Sequence, residues 1–202
     1  MNDFMDRYTD EELIARFQQG DEYAFEEIVN RFKDRLKNFV YRYLSSEEAA
    51  EDVVQDTFLR VYQKKHMYRN IAKFSTWIYT IAGNLAKTEL RKRKRRKMYS
   101  LDDLGLEDKE YEIPSEDFAP EEGVEGEFTE AEIQTAIDQL SEKFKTVIIL
   151  RDIQELSYDE ISNIVGVPVG TVKSRINRGR LKLQEKLRHL RSSESEKASK
   201  KS

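Results

Sequence analysis

The 202-residue chain contains no cysteine, only two histidines, three prolines and eight glycines. Without cysteine it forms neither disulfides nor thiolate-ligated zinc sites, and His66 and His189 lie far apart in sequence. No apolar run approaches the roughly 20 residues of a membrane-spanning helix, and the first residues lack the apolar core of a signal peptide. We therefore expect no metal, no cofactor, no membrane insertion and a cytoplasmic location.

The scarcity of glycine and proline favours helices. Charged residues make up 37% of the chain and hydrophobic residues 38%, and the helix formers Glu, Lys, Arg, Leu and Ala dominate. The length suits two domains of modest size rather than one. The composition predicts an all-α protein of two small helical domains with lean cores.

The net charge of −4 conceals a segregation of charge along the chain. Residues 98–129 hold 12 acidic residues against one lysine, together with two of the prolines and three of the glycines. This composition predicts a flexible acidic linker between a domain at 8–97 and a domain at 130–190. The Ser- and Lys-rich residues 191–202 are predicted to form a disordered tail.

Several helix starts and ends can be predicted from capping residues. In the first domain, the predicted helix starts are a capping box of Thr9 with Glu12, an N-cap at Asp21, Ser45 with Glu48, and an N-cap at Ser75. Apolar residues recur at three-and-four spacing after each start, and Gly20 is predicted to end the first helix.

The clearest motif lies at residues 157–180. Ser157 with Glu160 forms a capping box, Gly166 ends a short helix, and Val167 with Pro168 makes a turn before a second helix. The second helix has an apolar stripe, and its opposite face carries cations and hydrogen-bonding groups suited to the major groove. Those residues are Thr171, Lys173, Ser174, Arg175, Asn177, Arg178 and Arg180. The pattern favours a DNA-binding helix-turn-helix over a helical hairpin with a solvated face.

This segment resembles the −35-reading domain of the extracytoplasmic-function sigma factors, which follow L-S-x-x-E-I, then G, then G-T-V-K-S-R and R-G-R. The matching residues are Leu156, Ser157, Glu160, Ile161, Gly166, Gly170 to Arg175, and Arg178 to Arg180. The resemblance implies that the polar face of the second helix reads the −35 promoter element. Response regulators share part of this pattern, so the first half of the chain must show which of the two families the chain resembles.

Residues 51–62, EDVVQDTFLRVY, resemble the sigma-factor segment D-x-x-Q-[DE]-x-F-x-[RK], which docks on the coiled coil of the largest polymerase subunit. The resemblance implies a polymerase-binding role for Asp52, Gln55, Asp56, Phe58 and Arg60. Without the resemblance, the residue types on this helix face predict only an ordinary solvent-exposed surface.

Cations and aromatic residues alternate between positions 68 and 79, as binding of unpaired DNA requires. Residues 74–87 resemble the −10-reading helix of the same family, and the run from Arg91 to Lys97 suits duplex phosphates. The residues expected to bind the −10 element and assist melting are Arg69, Asn70, Lys73, Phe74, Ser75, Thr76, Trp77, Asn84, Arg91 and Arg95. The apolar stripe favours a core position for Trp77 over base contact, and for Phe74 both positions stay open.

The resemblance covers nearly all of residues 8–190. It implies a sigma factor that binds core RNA polymerase at the coiled coil and the flap, reads −35 and −10 promoter DNA, and helps to open it. It also implies an anti-sigma partner, a stress or envelope response, no catalytic residue and no small-molecule substrate. The alternatives are a stand-alone repressor or activator whose first half dimerises or senses a signal, and a helical adaptor that binds RNA or acidic protein through the basic run.

In sigma factors the connector follows the path that nascent RNA later takes through polymerase, so an acidic linker would imitate nucleic-acid charge there. A simple spacer is the alternative. If the charge matters, neutralising Glu107, Asp108, Glu110 and Glu112 together will alter abortive initiation. The measurement is the length distribution of short transcripts, and an unchanged distribution contradicts the charge hypothesis.

Overall fold

The computed structural model describes residues 7–100 and 128–199, with side chains described for 7–96 and 128–191. All regular structure in these two ranges is helical, which confirms the predicted all-α fold. Most of the predicted linker lies outside the described residues. None of the described helices is both long enough and apolar enough to cross a membrane.

Four helices form the first helical group. They are α1 (Asp10–Gln18), α2 (Glu22–Leu44), α3 (Glu47–Lys64) and α4 (Phe74–Ser100). The predicted capping box of Thr9 and Glu12 is present, and the Asp21 side chain accepts a hydrogen bond from Ala24 N, as an N-cap should. Gly20 follows α1 with a φ of +102°, a left-handed conformation that glycine adopts without steric cost.

Two predicted N-caps are wrong by one or two residues. Ser45 is the left-handed C-cap of α2, and the neighbouring Ser46 caps α3 by accepting from Ala49 N. Helix α4 begins at Phe74 rather than after Ser75, because the Glu11 carboxylate of α1 accepts a hydrogen bond from Phe74 N at 2.9 Å. A cap supplied from 63 positions away in sequence leaves no local signal.

The core of the first helical group is rich in aromatic residues. Phe74 contacts Phe32, Tyr68 and Trp77 with ring centroids 5.5 to 5.9 Å apart. Phe39 meets Tyr79 edge to face at 5.3 Å. Aromatic side chains bury large areas each, so a chain with few apolar residues still obtains a substantial core.

The second helical group comprises four helices and one wider turn. They are α5 (Glu130–Asp138), α6 (Glu142–Ile148), a π-helical turn (Ile149–Ile153), α7 (Tyr158–Val165) and α8 (Val169–Ser199). The predicted capping box of Ser157 and Glu160 starts α7, and Gly166 ends it in the left-handed conformation. Val172 and Ile176 of α8 are completely buried, as the predicted apolar stripe requires.

Both terminal helices continue past the boundaries that the sequence suggests. Helix α4 extends through the basic run to Ser100, and α8 extends from the helix-turn-helix to Ser199. A helical backbone to Ser199 differs from the disordered tail predicted for 191–202. The stretch after residue 190 lacks glycine and proline, so no residue type there terminates a helix.

Gly179 marks the closest approach of α8 to α6. A β-carbon built on Gly179 lies 2.9 Å from Ile148 Cγ1 and 3.6 Å from Phe144 Cβ, whereas in the described part of the chain no atom lies within 4 Å of one built on Gly170. The glycine of the R-G-R motif therefore has a packing role, in addition to the charges that the two arginines carry.

We predict that Gly179→Ala destabilises the second helical group by about 1–2 kcal/mol, because overpacking outweighs the better helix propensity of alanine. Gly170→Ala is the control and should leave stability unchanged or slightly increased. Thermal denaturation followed by circular dichroism compares the two. Equal melting temperatures for both variants would contradict a packing role for Gly179.

Candidate nucleic-acid interface

The helix-turn-helix leaves a polar face of α8 accessible. Lys173, Asn177, Arg178 and Arg180 are exposed. Thr171, Ser174 and Arg175 are half-buried, and the Ser174 hydroxyl donates to the backbone oxygen of Thr171 at 3.0 Å. Four of the seven residues predicted for −35 reading are thus exposed and three are half-buried, while Val172 and Ile176 on the inner side of α8 are fully buried. A helix with one buried side and one accessible polar side has the design that a recognition helix requires.

Arg180 differs from the other cations on this face because it is held by Asp152. The guanidinium Nε lies 3.1 Å from Asp152 Oδ2, and this hydrogen bond raises the pKa of Arg180 above its ordinary value. Asp152 belongs to the π-helical turn. Arg180 is therefore oriented by the protein before any DNA arrives.

Tyr158 lies between two further cations of the helix-turn-helix. Arg151 Cζ is 4.8 Å from the centre of its ring and Lys173 Nζ is 5.6 Å from it, both within range of cation–π attraction. The Arg151 guanidinium also donates to the backbone oxygen of Leu156 at 2.8 Å. The ring thereby links a predicted DNA contact, Lys173, to the turn before α7.

The loop between α3 and α4 is held at three points. The Gln18 amide donates to the backbone oxygens of Lys65 and Tyr68, at 2.6 and 3.0 Å. The Tyr68 hydroxyl donates to the backbone oxygen of Ala72 at 2.7 Å, and Glu11 fixes Phe74 N. Burial raises the pKa of Tyr68 to about 12, so this donor stays protonated at neutral pH. The loop is therefore a fixed frame for its exposed side chains.

The predicted −10 residues fall into three sets according to their burial in the structure. Arg69, Asn70, Lys73, Asn84, Arg91 and Arg95 are exposed, and Ser75 and Trp77 are half-buried. Phe74 is fully buried, which is the core position of the two that stayed open for it, and Thr76, expected to bind the −10 element, is only 5% exposed and also belongs to the core. The difference arises because α4 begins at Phe74 and turns that ring inward onto Phe32.

The basic run forms the exposed end of α4. Arg91, Lys92, Lys94, Arg95 and Arg96 are exposed, and Arg93 is half-buried. Glu89 accepts from Arg93 Nε at 3.3 Å and lies 3.9 Å from Lys92 Nζ. Most of this positive charge faces solvent on a single rigid helix, so it can contact consecutive phosphates.

Helix α3 presents four of the five predicted polymerase-docking residues on its outer side, and the fifth, Phe58, belongs to the core. Asp52, Gln55, Asp56 and Arg60 are exposed, while Phe58 is only 9% exposed and contacts Phe25. Leu59, on the same outer side, is 53% exposed. The outer side of α3 therefore combines exposed charges with one exposed apolar side chain.

The sequence did not reveal five residues that shape these surfaces. Glu11, Gln18, Arg151, Asp152 and Tyr158 act through contacts with other elements. An exposed Ile71, 88% accessible at the tip of the α3–α4 loop, was also missed. Ile71 has a signal in sequence, since it is a large apolar residue in a segment that also holds Arg69, Asn70 and Lys73 and that continues no helical periodicity.

A capped helix-turn-helix and a helix with an exposed basic end are together typical of a DNA-reading transcription factor. Residues 28–96 match sigma-70 region 2, and residues 130–183 match sigma-70 region 4. The chain is 38% identical to the ECF RNA polymerase sigma factor SigW of Bacillus subtilis over 179 residues, which cover 88% of this chain and 96% of SigW. It is 35% identical to the ECF sigma-E factor of Haemophilus influenzae over 189 residues, 92% of this chain and 98% of that protein.

The chain belongs to the extracytoplasmic-function sigma factors, which direct promoter-specific initiation of transcription by binding core RNA polymerase and promoter DNA. Among solved structures it is similar to the sigma factor RpoE bound to the anti-sigma factor NepR from Bartonella quintana, with 26% identity and a TM-score of 0.63 over 81% of this chain and 96% of that one. CnrH, solved with the cytosolic domain of CnrY, shares the fold, with 22% identity and a TM-score of 0.66 over 89% and 97% of the chains.

We predict that Tyr158 orients Lys173 for contact with the −35 duplex. Tyr158→Leu should weaken binding about two- to fivefold, since a cation–π contact contributes about 0.5–1 kcal/mol at an exposed site. Tyr158→Phe keeps the ring and should bind as the natural chain does. Fluorescence anisotropy on a duplex selected from a randomised library by the polymerase-bound chain measures the affinities. Equal losses in both variants would show that the ring is not the cause.

Proposed function

We propose that three surfaces of the chain have separate roles in promoter recognition and opening. The polar face of α8 reads the −35 element, the α3–α4 loop with the outer face of α4 binds the −10 strand, and the outer side of α3 docks on the polymerase coiled coil. The observation that carries the proposal is the two-faced α8, with Val172 and Ile176 fully buried and Lys173, Asn177 and Arg178 exposed. Because the buried and the exposed residues lie on different sides of α8, the groups proposed to read bases do not disturb the packing of the helix.

The division into region 2 at 8–97, linker at 98–129 and region 4 at 130–190 goes with this proposal. The matches to region 2 at 28–96 and to region 4 at 130–183 support it. Helix α1 precedes the region 2 match, yet its Glu11 and Gln18 hold the α3–α4 loop. We therefore include α1 in the DNA-opening domain.

For the −10 element, we assign direct contact to the exposed residues and support to the buried ones. Arg69, Asn70, Lys73 and Asn84 are placed for bases and phosphates, while Phe74 and Thr76 support the loop from below. Capture of an unpaired base by a fixed frame offsets the few kcal/mol that unstacking that base costs. Opening is then a binding process, and the bond-making chemistry belongs to polymerase.

An anti-sigma factor is the further partner that we propose. RpoE of Bartonella quintana was solved with the anti-sigma factor NepR. Here the outer side of α3 combines exposed charges with the half-exposed Leu59, so a competitor for the polymerase-docking surface has both polar and apolar groups to bind.

We predict that Asp56→Arg abolishes promoter-specific transcription by reversing charge on the docking surface. Glu26→Arg makes the same change on the exposed side of α2 and should leave transcription intact. The assay mixes each purified chain with bacterial core polymerase and measures transcripts that neither component yields alone. A gel-shift with core polymerase separates loss of docking from loss of DNA binding.

Failure of the natural chain to bind core polymerase would contradict the proposal as a whole. It would favour a stand-alone regulator using the same helix-turn-helix, which would bind its DNA site without polymerase. If Asp56→Arg and Glu26→Arg both retain full activity, α3 is not the docking surface, although the remaining assignments stand.

A further inference from the structure

Helix α1 contacts both ends of the α3–α4 loop through two side chains. At the start of the loop, the Gln18 amide donates to the backbone oxygens of Lys65 and Tyr68, at 2.6 and 3.0 Å. At its end, the Glu11 carboxylate accepts from Phe74 N at 2.9 Å. We call these three hydrogen bonds the α1 contacts. The segment between them holds three of the residues assigned to the −10 strand.

Helix α1 supplies the cap that the residue before α4 cannot provide. Lys73 immediately precedes α4, and a lysine side chain has no acceptor with which to cap a helix. The Glu11 carboxylate takes this role, and its negative charge is favourable at the positive N-terminal end of a helix. The oxygens that Gln18 binds belong to the turn after α3 (Lys65–Met67) and to the next residue. Both ends of the loop therefore depend on hydrogen bonds from α1.

The spacing of Glu11 and Gln18 sets the distance between the two ends of the loop. The two residues are seven positions apart in one helix, so they lie on the same side of α1 and about 10 Å apart along its axis, at about 1.5 Å per residue. The hydrogen bonds of a helix fix its length. The two ends of the loop therefore cannot move independently while the α1 contacts persist.

Helix α1 is itself fixed on α2. Arg31 of α2 donates to the backbone oxygen of Tyr8 at 2.8 Å and to Asp10 Oδ1 at 3.0 Å, at the start of α1. The completely buried residues of α1 are Leu13, Ile14 and Phe17. The α1 contacts therefore join the loop to the core of the first helical group.

A loop held in one conformation favours capture of an unpaired strand. Binding to a loop that already has its bound conformation avoids the entropy cost of ordering that loop. A fixed loop also selects the bases whose groups match its one conformation, whereas a loop with several conformations can adapt to several bases. Fixing the loop thus favours both affinity and selectivity.

We propose that Glu11 and Gln18 are positioning residues for −10 recognition, through which α1 sets the affinity and the base selectivity of the α3–α4 loop. The proposal rests on the assignment of that loop to the −10 strand made above. It gives a role in DNA opening to a helix that ends before residue 28, where the match to region 2 begins. The alternative is that the α1 contacts only stabilise the fold.

Two alanine variants remove the α1 contacts, and each has a matched control. Gln18→Ala removes the donors at the start of the loop, and Gln19→Ala makes the same change at an exposed neighbour. Glu11→Ala removes the acceptor at the end of the loop, whereas Glu11→Gln keeps an oxygen that accepts from Phe74 N. We expect the −10 strand to bind Gln18→Ala and Glu11→Ala about three- to tenfold more weakly, and both controls within about twofold of the natural chain.

Base selectivity separates positioning from stability. Each chain is bound to core polymerase and mixed with a labelled non-template −10 strand from a promoter that the natural complex transcribes. Affinities for that strand and for strands with one substituted base give a selectivity ratio. A partly unfolded sample lowers every affinity in the same proportion, so lost stability alone leaves the ratio unchanged. We expect the ratio to fall on the order of threefold in Gln18→Ala and Glu11→Ala.

Trp77, the only tryptophan of the chain, reports on the loop without DNA. Its half-buried ring lies 5.5 Å from the ring of Tyr68 and 5.9 Å from that of Phe74. Release of the loop should expose the indole. In Gln18→Ala and Glu11→Ala we therefore expect emission at longer wavelength and stronger quenching by acrylamide, at temperatures where circular dichroism shows full helicity.

An unchanged selectivity ratio in Gln18→Ala and Glu11→Ala overturns the proposal, and so does an equal fall in Glu11→Gln or Gln19→Ala. If Gln18→Ala does not fold, Gln18→Asn replaces it, because its side chain is one methylene shorter. A natural complex that shows no selectivity among −10 strands contradicts the proposed function, and the role of α1 with it. Selective binding by the natural chain with an unchanged ratio in the variants contradicts the role of α1 alone.

Discussion

The burial of one face of α4 is the constraint on which the rest of the structure depends. Phe74, Ile78, Tyr79, Ala82 and Ala86 are all fully buried. Their spacing commits the opposite face to solvent, where Asn84 and the basic end of the helix lie. The alanines bring α4 close to its neighbours, and the aromatic rings supply most of the buried area. The same helix therefore builds the core, presents the DNA surface and reaches the second helical group through Tyr79.

Local chemistry explains which parts of the fold could be predicted from sequence. The caps at Thr9, Asp21 and Ser157 were predicted correctly, since each places an oxygen next to the amides that it accepts from. Ser45 and Ser46 are adjacent, and from sequence either serine could cap α3. Ser45 adopts a left-handed conformation as the C-cap of α2, so Ser46 is the N-cap of α3. The start of α4 depends on Glu11, which only the folded chain brings near.

The candidate site shows the same division between local and distant causes. The two-sided character of α8 follows from the 3.6-residue period, which predicted the buried positions of Val172 and Ile176. Phe74 could not be placed, because an aromatic residue at a helix start suits both a base-stacking surface and a core. Tyr158 and Asp152 orient cations from other elements, and neither residue has a motif of its own. The hydrogen bonds between the groups join residues 75 to 116 positions apart, beyond the reach of periodicity.

Polar contacts join the two helical groups in addition to a shared apolar cluster. The Tyr79 hydroxyl donates to Gln154 Oε1 at 2.7 Å, and Arg42 Nη2 lies 2.7 Å from Glu130 Oε1. A polar side chain that leaves such a contact bonds to water instead, so each polar contact contributes little net free energy. The apolar cluster, which includes residues of both groups, therefore supplies most of the free energy of their contact. The polar pairs favour one relative orientation of the groups, because each donor has a particular acceptor.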